Sequence, residues 1–96
     1  MKLCVDIDGT LFESDCIDGE YEIRKVNREM IKRLNALFDT GSEIVIYTGR
    51  HWNHLYETKR QLDSHNIKYT TLVMGKPVAD HYIDDKAVRP DEFLAR

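Results

Sequence analysis

The sequence predicts an α/β domain in three layers, α/β/α, built around a mostly parallel sheet. Two patterns point to it first. Short apolar runs at 2–7, 43–47 and 70–73 end at turn residues, as strands covered on both faces do. Stretches of helical periodicity, 28–40 and 53–65, separate them, so that strands and helices alternate. A third observation concerns placement. Polar groups collect just past the carboxyl ends of the strands, where open α/β sheets hold their ligands. The 96 residues are read as one domain, 1–96, without linker, repeat or low-complexity segment.

Strand one is Lys2–Ile7, with Leu3, Cys4, Val5 and Ile7 apolar on both faces. Residues 11–22 are polar and interrupted by Gly19, so they read as a loop or small flap over the sheet end. Residues 23–27 are open between that loop and a first turn of helix. Asn27 caps the first long helix, whose inward positions are Met30, Leu34, Leu37 and Phe38. Gly41 ends it in a left-handed cap. Strand two, Glu43–Tyr47, is β-branched and almost wholly apolar, which places it deep in the sheet. Asn53 is expected to cap a second helix reaching about His65, its inward side formed by Leu55 and Leu62 with Tyr56 or the aliphatic part of Lys59. Asn66 suits the helix end and Ile67 packs back beneath it. Strand three covers about Thr70–Val73. Met74-Gly75-Lys76-Pro77 turns away, a short strand four is expected at His81–Ile83, and the tail carries a helical turn with Phe93 and Leu94.

Lys and Arg number 14 against 17 Asp and Glu, for a formal charge of -3, and the cations are scattered. That disfavours an extended nucleic-acid contact, which a basic stripe would meet. No apolar run approaches the roughly 20 residues of a membrane span. Two cysteines, Cys4 and Cys16, make no disulfide framework. With no signal peptide ahead of the first strand, a reduced cytoplasmic protein is expected. A domain this small has little margin in its core, and a homodimer or homotetramer is an expected way to add to it.

The chemistry collects at three strand ends. Strand one delivers Asp6, Asp8 and Thr10, strand two delivers Thr48, Gly49 and Arg50, and strand four delivers Asp84 and Asp85. Lys76 lies in the turn before strand four. Carboxylates beside a buried strand are costly unless partnered, and several together raise one another's pKa unless a cation neutralises them. Mg²⁺, a hard ion that joins carboxylates to phosphate oxygens, matches an all-oxygen set of Asp6, Asp8, Asp84 and Asp85. Thr48, Thr10 and Lys76 then supply donors for a transferring phosphoryl group. One aspartate can attack phosphorus while the other moves protons.

Asp6-Ile7-Asp8-Gly9-Thr10 resembles the first signature of the haloacid dehalogenase-like phosphohydrolase superfamily. Tyr47-Thr48-Gly49-Arg50 resembles the second, Lys76 the third and Ile83-Asp84-Asp85 the fourth, all in order. The resemblance implies a Rossmann-like fold, Mg²⁺ and an aspartyl-phosphate intermediate. It makes Asp6 the nucleophile and Asp8 the acid and base, with the carbonyl of Asp8 on the metal. Thr48 would bind phosphoryl oxygens, Lys76 would neutralise the site, and Asp84 and Asp85 would ligate Mg²⁺. Thr10, Gly49, Arg50 and His51 fall on the substrate side. With room only for a flap, the chain is similar to capless members, which close their sites with a neighbouring subunit or act on large substrates. It also resembles small phosphatase-like proteins of capsule and surface-polysaccharide synthesis.

The expected activity is therefore Mg²⁺-dependent hydrolysis of a small phosphorylated metabolite such as a sugar phosphate. The alternatives are a non-catalytic phosphate-binding or assembly protein and a phosphatase of nucleic-acid ends or another macromolecule. Two readings stand side by side for Arg50, His51, Trp52 and His54: a substrate-facing patch, or an exposed turn with Trp52 packed on a neighbour.

Overall fold

Two parallel pairings make the main sheet of the computed structural model, which describes residues 1–96. Strand β1, Lys2–Val5, pairs with β4, Glu43–Tyr47, and β4 pairs with β5, Thr71–Val73. The order is β1-β4-β5, so β1 is an edge strand. Helix α1, Arg28–Asp39, links β1 to β4, and α2, Leu55–Ser64, links β4 to β5. Both crossovers step the same way across the sheet, and right-handed crossovers in one direction put their helices on one face.

The core follows from that placement. Val5, Ile44 and Ile46 on the covered face meet Met30, Ile31 and Leu34 of α1, and Leu62 of α2. Ile7, Leu11 and Phe12, just beyond β1, join the same cluster. Leu34 is 1 % exposed. Truncating it leaves a cavity, and Leu34→Ala is expected to cost about 2–5 kcal/mol, to be read as a lower urea midpoint with unchanged slope.

The α/β class and the parallel, Rossmann-type sheet are as expected. Of the three layers, the described helices fill one side only, and Cys4 shows the consequence. Expected to be buried, it is exposed, because the pleat turns it away from Leu3 and Val5 toward the face that carries no helix.

The segment after the Gly-Thr turn is a β-hairpin rather than a loop. Strand β2, Phe12–Ile17, pairs antiparallel with β3, Glu20–Val26, with a register shift between Glu13 and Ser14. Asp18 and Gly19 have φ of 51° and 78°, the backbone of a two-residue turn matched to strand twist. Asp-Gly between two strand-forming runs is a hairpin signal in its own right, and here Gly19 joins two strands instead of breaking a loop.

The expected cap of α1 is present. Asn27 Oδ1 accepts from Met30 N–H at 3.1 Å. Gly41 follows with φ of 102°, and its N–H donates to the Phe38 carbonyl. Helix α2 starts differently. A 3₁₀ turn, Trp52–His54, precedes it, and the His51 ring, not Asn53, accepts a cap bond, from Asn53 N–H. Its inward side is Thr58 and Leu62, both fully buried, while Tyr56 and Lys59 face outward. Asn66, φ 57°, ends α2 as expected, and Ile67 is buried below it.

The expected fourth strand is absent. His81–Ile83 has no strand pairing, and Ile83 is 98 % exposed. His81, Tyr82 and Ile83 are all exposed, so no burial offsets the entropy of ordering them as a strand. Tyr82 is held instead in a local turn, its hydroxyl donating to the Pro77 carbonyl. Helix α3, Pro90–Leu94, closes the chain, with Phe93 and Leu94 half-buried against the core. No helix is long and apolar enough to cross a membrane.

Candidate active site

Strand β1 ends at Val5, and the chain turns sharply over the next five residues. Thr10, Leu11 and Phe12 N–H all point at the Ile7 carbonyl, at 3.1, 2.8 and 3.1 Å. Gly9, φ 87°, supplies the left-handed residue of the turn. Ile7 is fully buried and anchors the loop, leaving Asp6 and Asp8 on either side of it, both half-buried. Asp6 Oδ1 accepts from Ile7 N–H at 2.8 Å.

Lys76 reaches Asp6 from the other side of the site. Its Nζ lies 3.6 Å from Asp6 Oδ2 and 4.0 Å from the centre of the Tyr82 ring. The Lys76 turn is tied to the Thr48 loop by two backbone bonds, Lys76 N–H to the Thr48 carbonyl and Gly75 N–H to the Arg50 carbonyl. Gly49 permits this approach, since a Cβ there would stand 3.3 Å from Val78 Cγ2 and 3.4 Å from the Lys76 carbonyl. Burial pushes the Asp6 carboxyl above its ordinary range. The Ile7 N–H and the Lys76 charge pull the other way without overcoming it.

Asp8 is held by other groups. Arg50 Nε donates to Asp8 Oδ2 at 3.0 Å and Nη2 to Oδ1 at 2.9 Å, a two-pronged pair. Ser14 Oγ, from the hairpin, donates to Oδ1 at 2.6 Å. Arg50 is 1 % exposed, so it is no substrate-facing cation. The other expected substrate residues also have local partners. Thr10 N–H and carbonyl serve the turn and the Asn27 side chain. His51 is exposed and caps the 3₁₀ turn. Thr48 is fully buried, its Oγ accepting from Arg50 N–H at 3.1 Å, which leaves the hydroxyl proton to donate elsewhere.

Asp84 and Asp85 are not brought to Asp6 and Asp8. Both sit on the exposed 81–89 segment, and Asp84 Oδ1 accepts from Lys86 N–H. That bond holds the Asp84 carboxyl below its ordinary range, helped by Asp85 and Lys86. No three carboxylate, histidine or cysteine side chains stand close enough together to hold a metal ion. The four aspartates therefore make no preformed Mg²⁺ cage: Asp8 has both oxygens engaged and strand four, which was to carry the acidic pair inward, does not form. A cleft of about 550 Å³ follows the same exposed segment, from His81 to Arg89, and holds neither Asp6 nor Lys76.

Asp6 and Lys76 are thus paired, with Asp8 two residues on, just past the end of a parallel strand. A sequence model of haloacid dehalogenase-like hydrolases matches residues 3–90. The chain belongs to the haloacid dehalogenase-like hydrolase family. This family member is also similar to a solved structure, the crystal structure of an MCSG target from Vibrio cholerae. The two are 34 % identical, with a TM-score of 0.75, over 99 % of this chain and 88 % of that one. No match is found among curated proteins. Hydrolases of this family generally use Mg²⁺.

Some residues that shape this hydrolase's site carry no motif. Ser14 holds Asp8, Thr58 and Gln61 hold Arg50, and the Tyr21 ring covers Arg50. The available signal lay in α2. Thr58 takes the place of an apolar residue one turn before Leu62, and a polar side chain on an inward stripe implies a buried partner.

Proposed function

We propose that this hydrolase is a phosphatase of small phosphorylated metabolites, of which sugar phosphates are the first to test, passing the phosphoryl group through Asp6. The observation that carries the reading is Lys76 Nζ at 3.6 Å from Asp6 Oδ2. An ammonium there lowers the repulsion between a carboxylate nucleophile and a phosphate dianion. Asp6 attacks phosphorus, the ester P–O bond breaks, and Asp8 gives a proton to the leaving oxygen. Water then attacks the aspartyl phosphate, Asp8 takes its proton, and inorganic phosphate leaves with Asp6 restored. Lys76 neutralises charge throughout.

Mg²⁺ belongs to the reading as the family's usual cofactor. It commonly takes only one or two carboxylates and fills its shell with water and substrate phosphate oxygens, which suits a chain without a ready cage. No step above passes through it. The second reading, phosphate binding without turnover, draws on the same lack of a gathered carboxylate set.

The test is release of inorganic phosphate from sugar phosphates, nucleotides and 5′-phosphorylated oligonucleotides, with Mg²⁺ and with a chelator. Turnover of a small ester that falls at least about tenfold without Mg²⁺ is expected. Saturable phosphate binding with no ester hydrolysed would favour the second reading. Turnover of oligonucleotide ends alone would move the substrate to a macromolecule.

A further inference from the structure

We infer that Arg50 is a positioning residue, whose buried guanidinium fixes the Asp8 carboxylate against the β2–β3 hairpin so that turnover depends on this clamp. The inference rests on the phosphatase reading for its effect on turnover, but not for the clamp itself.

Arg50 uses four of its N–H bonds on three side chains, one in the loop after β1 and two on α2. Two go to Asp8. Nη1 donates to Thr58 Oγ1 at 3.2 Å and to Gln61 Oε1 at 2.7 Å, both on α2. The planar fork thus has one edge on the carboxylate and its far end on a helix. Its guanidinium carbon lies 4.1 Å from the centre of the Tyr21 ring, which shields the ion pair from water.

Tyr21 is itself pinned. Its N–H donates to Glu57 Oε1 at 2.6 Å and its carbonyl accepts from Gln61 Nε2 at 2.7 Å. Gln61 therefore joins Arg50 to β3 with its two amide atoms. Ser14 of β2 completes the circuit by donating to Asp8. An isolated two-stranded hairpin has little stability of its own. Here it is held to α2 by the same residues that orient Asp8, so the setting of Asp8 and the docking of the hairpin are one arrangement.

Arg50→Lys keeps the charge and loses the fork. With the best ester, kcat is expected to fall roughly 10- to 100-fold while KM stays within about threefold. A substrate contact would raise KM and leave kcat alone, and that result overturns the inference. Ser14→Ala tests the clamp with Arg50 intact: loss of its one bond to Asp8 should lower kcat roughly threefold at constant KM, and an unchanged kcat counts against the clamp. A third measurement needs no turnover. In urea unfolding, Arg50→Lys, Asp8→Asn and the double variant form a cycle. The double variant should retain a folded-to-unfolded ratio roughly fivefold or more above the product of the single effects. Additivity overturns the clamp. A parent protein that releases phosphate from no ester would refute the phosphatase reading alone, and the cycle would still decide the clamp.

Discussion

Asp6→Asn is expected to abolish phosphate release while leaving the fold as stable as before or more so. Removing the nucleophile of a covalent route leaves only binding and charge stabilisation, so a loss of about 10³-fold or more is expected in kcat. The stability half of the prediction comes from burial. The Asp6 carboxyl is raised above its ordinary 3.8, first by desolvation and to a smaller degree by Asp8, against the Ile7 N–H and Lys76. An acid that holds its proton more tightly folded than unfolded opposes folding once ionised. Its contribution falls as pH rises from 3.8 to the higher folded-state value, and is flat above. Asn carries no charge to desolvate and keeps an oxygen for Ile7 N–H. Urea unfolding of the variant at pH 7 should therefore give a midpoint at or above that of the parent, and the decline with rising pH should diminish. A variant that is inactive because it is unfolded would contradict the prediction, and so would one that keeps its turnover.

Asp8→Ala is expected to behave in the opposite way, lowering stability by about 2–3 kcal/mol at pH 7. The reason is the group it leaves behind. The Arg50 side chain is 0 % exposed, and the Asp8 carboxylate is the only anion bonded to it. Breaking a buried pair from one side costs about 3–5 kcal/mol because the remaining charge has neither water nor counter-ion. A lower figure applies here because Asp8 is one-third exposed and its removal admits some water to the guanidinium. Arg50→Met in the Asp8→Ala background should then recover much of the loss, since an apolar side chain of similar length needs no partner. If Asp8→Ala unfolds at the same urea concentration as the parent, the pair holds no net energy and Arg50 is better solvated than its burial implies.

The two aspartates of one five-residue motif are thus separated by their surroundings. Asp6 faces an ammonium across 3.6 Å and keeps an oxygen directed at the site. Asp8 receives three donors at 3.0 Å or less and is set in place. A nucleophile needs a free lone pair and a proton-transfer group needs orientation, so the difference agrees with the roles proposed.

Much of this was legible in the chain. Alternating apolar runs and helical periodicities specified a parallel α/β sheet, because each is a local record of which side chains must leave water. The caps at Asn27, Gly41 and Asn66 were legible for the same reason, each being settled within four residues. The hairpin carried its Asp18-Gly19 signal too, though the polar residues around it resemble a loop. Motif and order named Asp6 and Lys76 as candidates, and the fold brings these two within 3.6 Å of each other.

Three matters lay outside the sequence, and each turns on a partner distant along the chain. Arg50 reads as a substrate cation beside Gly49. It becomes a buried clamp only because the crossover of α2 brings Thr58 and Gln61 over it and the hairpin brings Ser14 and Tyr21. Cys4 reads as core until both helices are found on one face. Asp84 and Asp85 read as metal ligands until the segment meant to carry them is seen to form no strand and to lie exposed. Local patterns record the free energy of burying a residue somewhere; which residue it meets there is decided when the folded chain brings separate segments to one place.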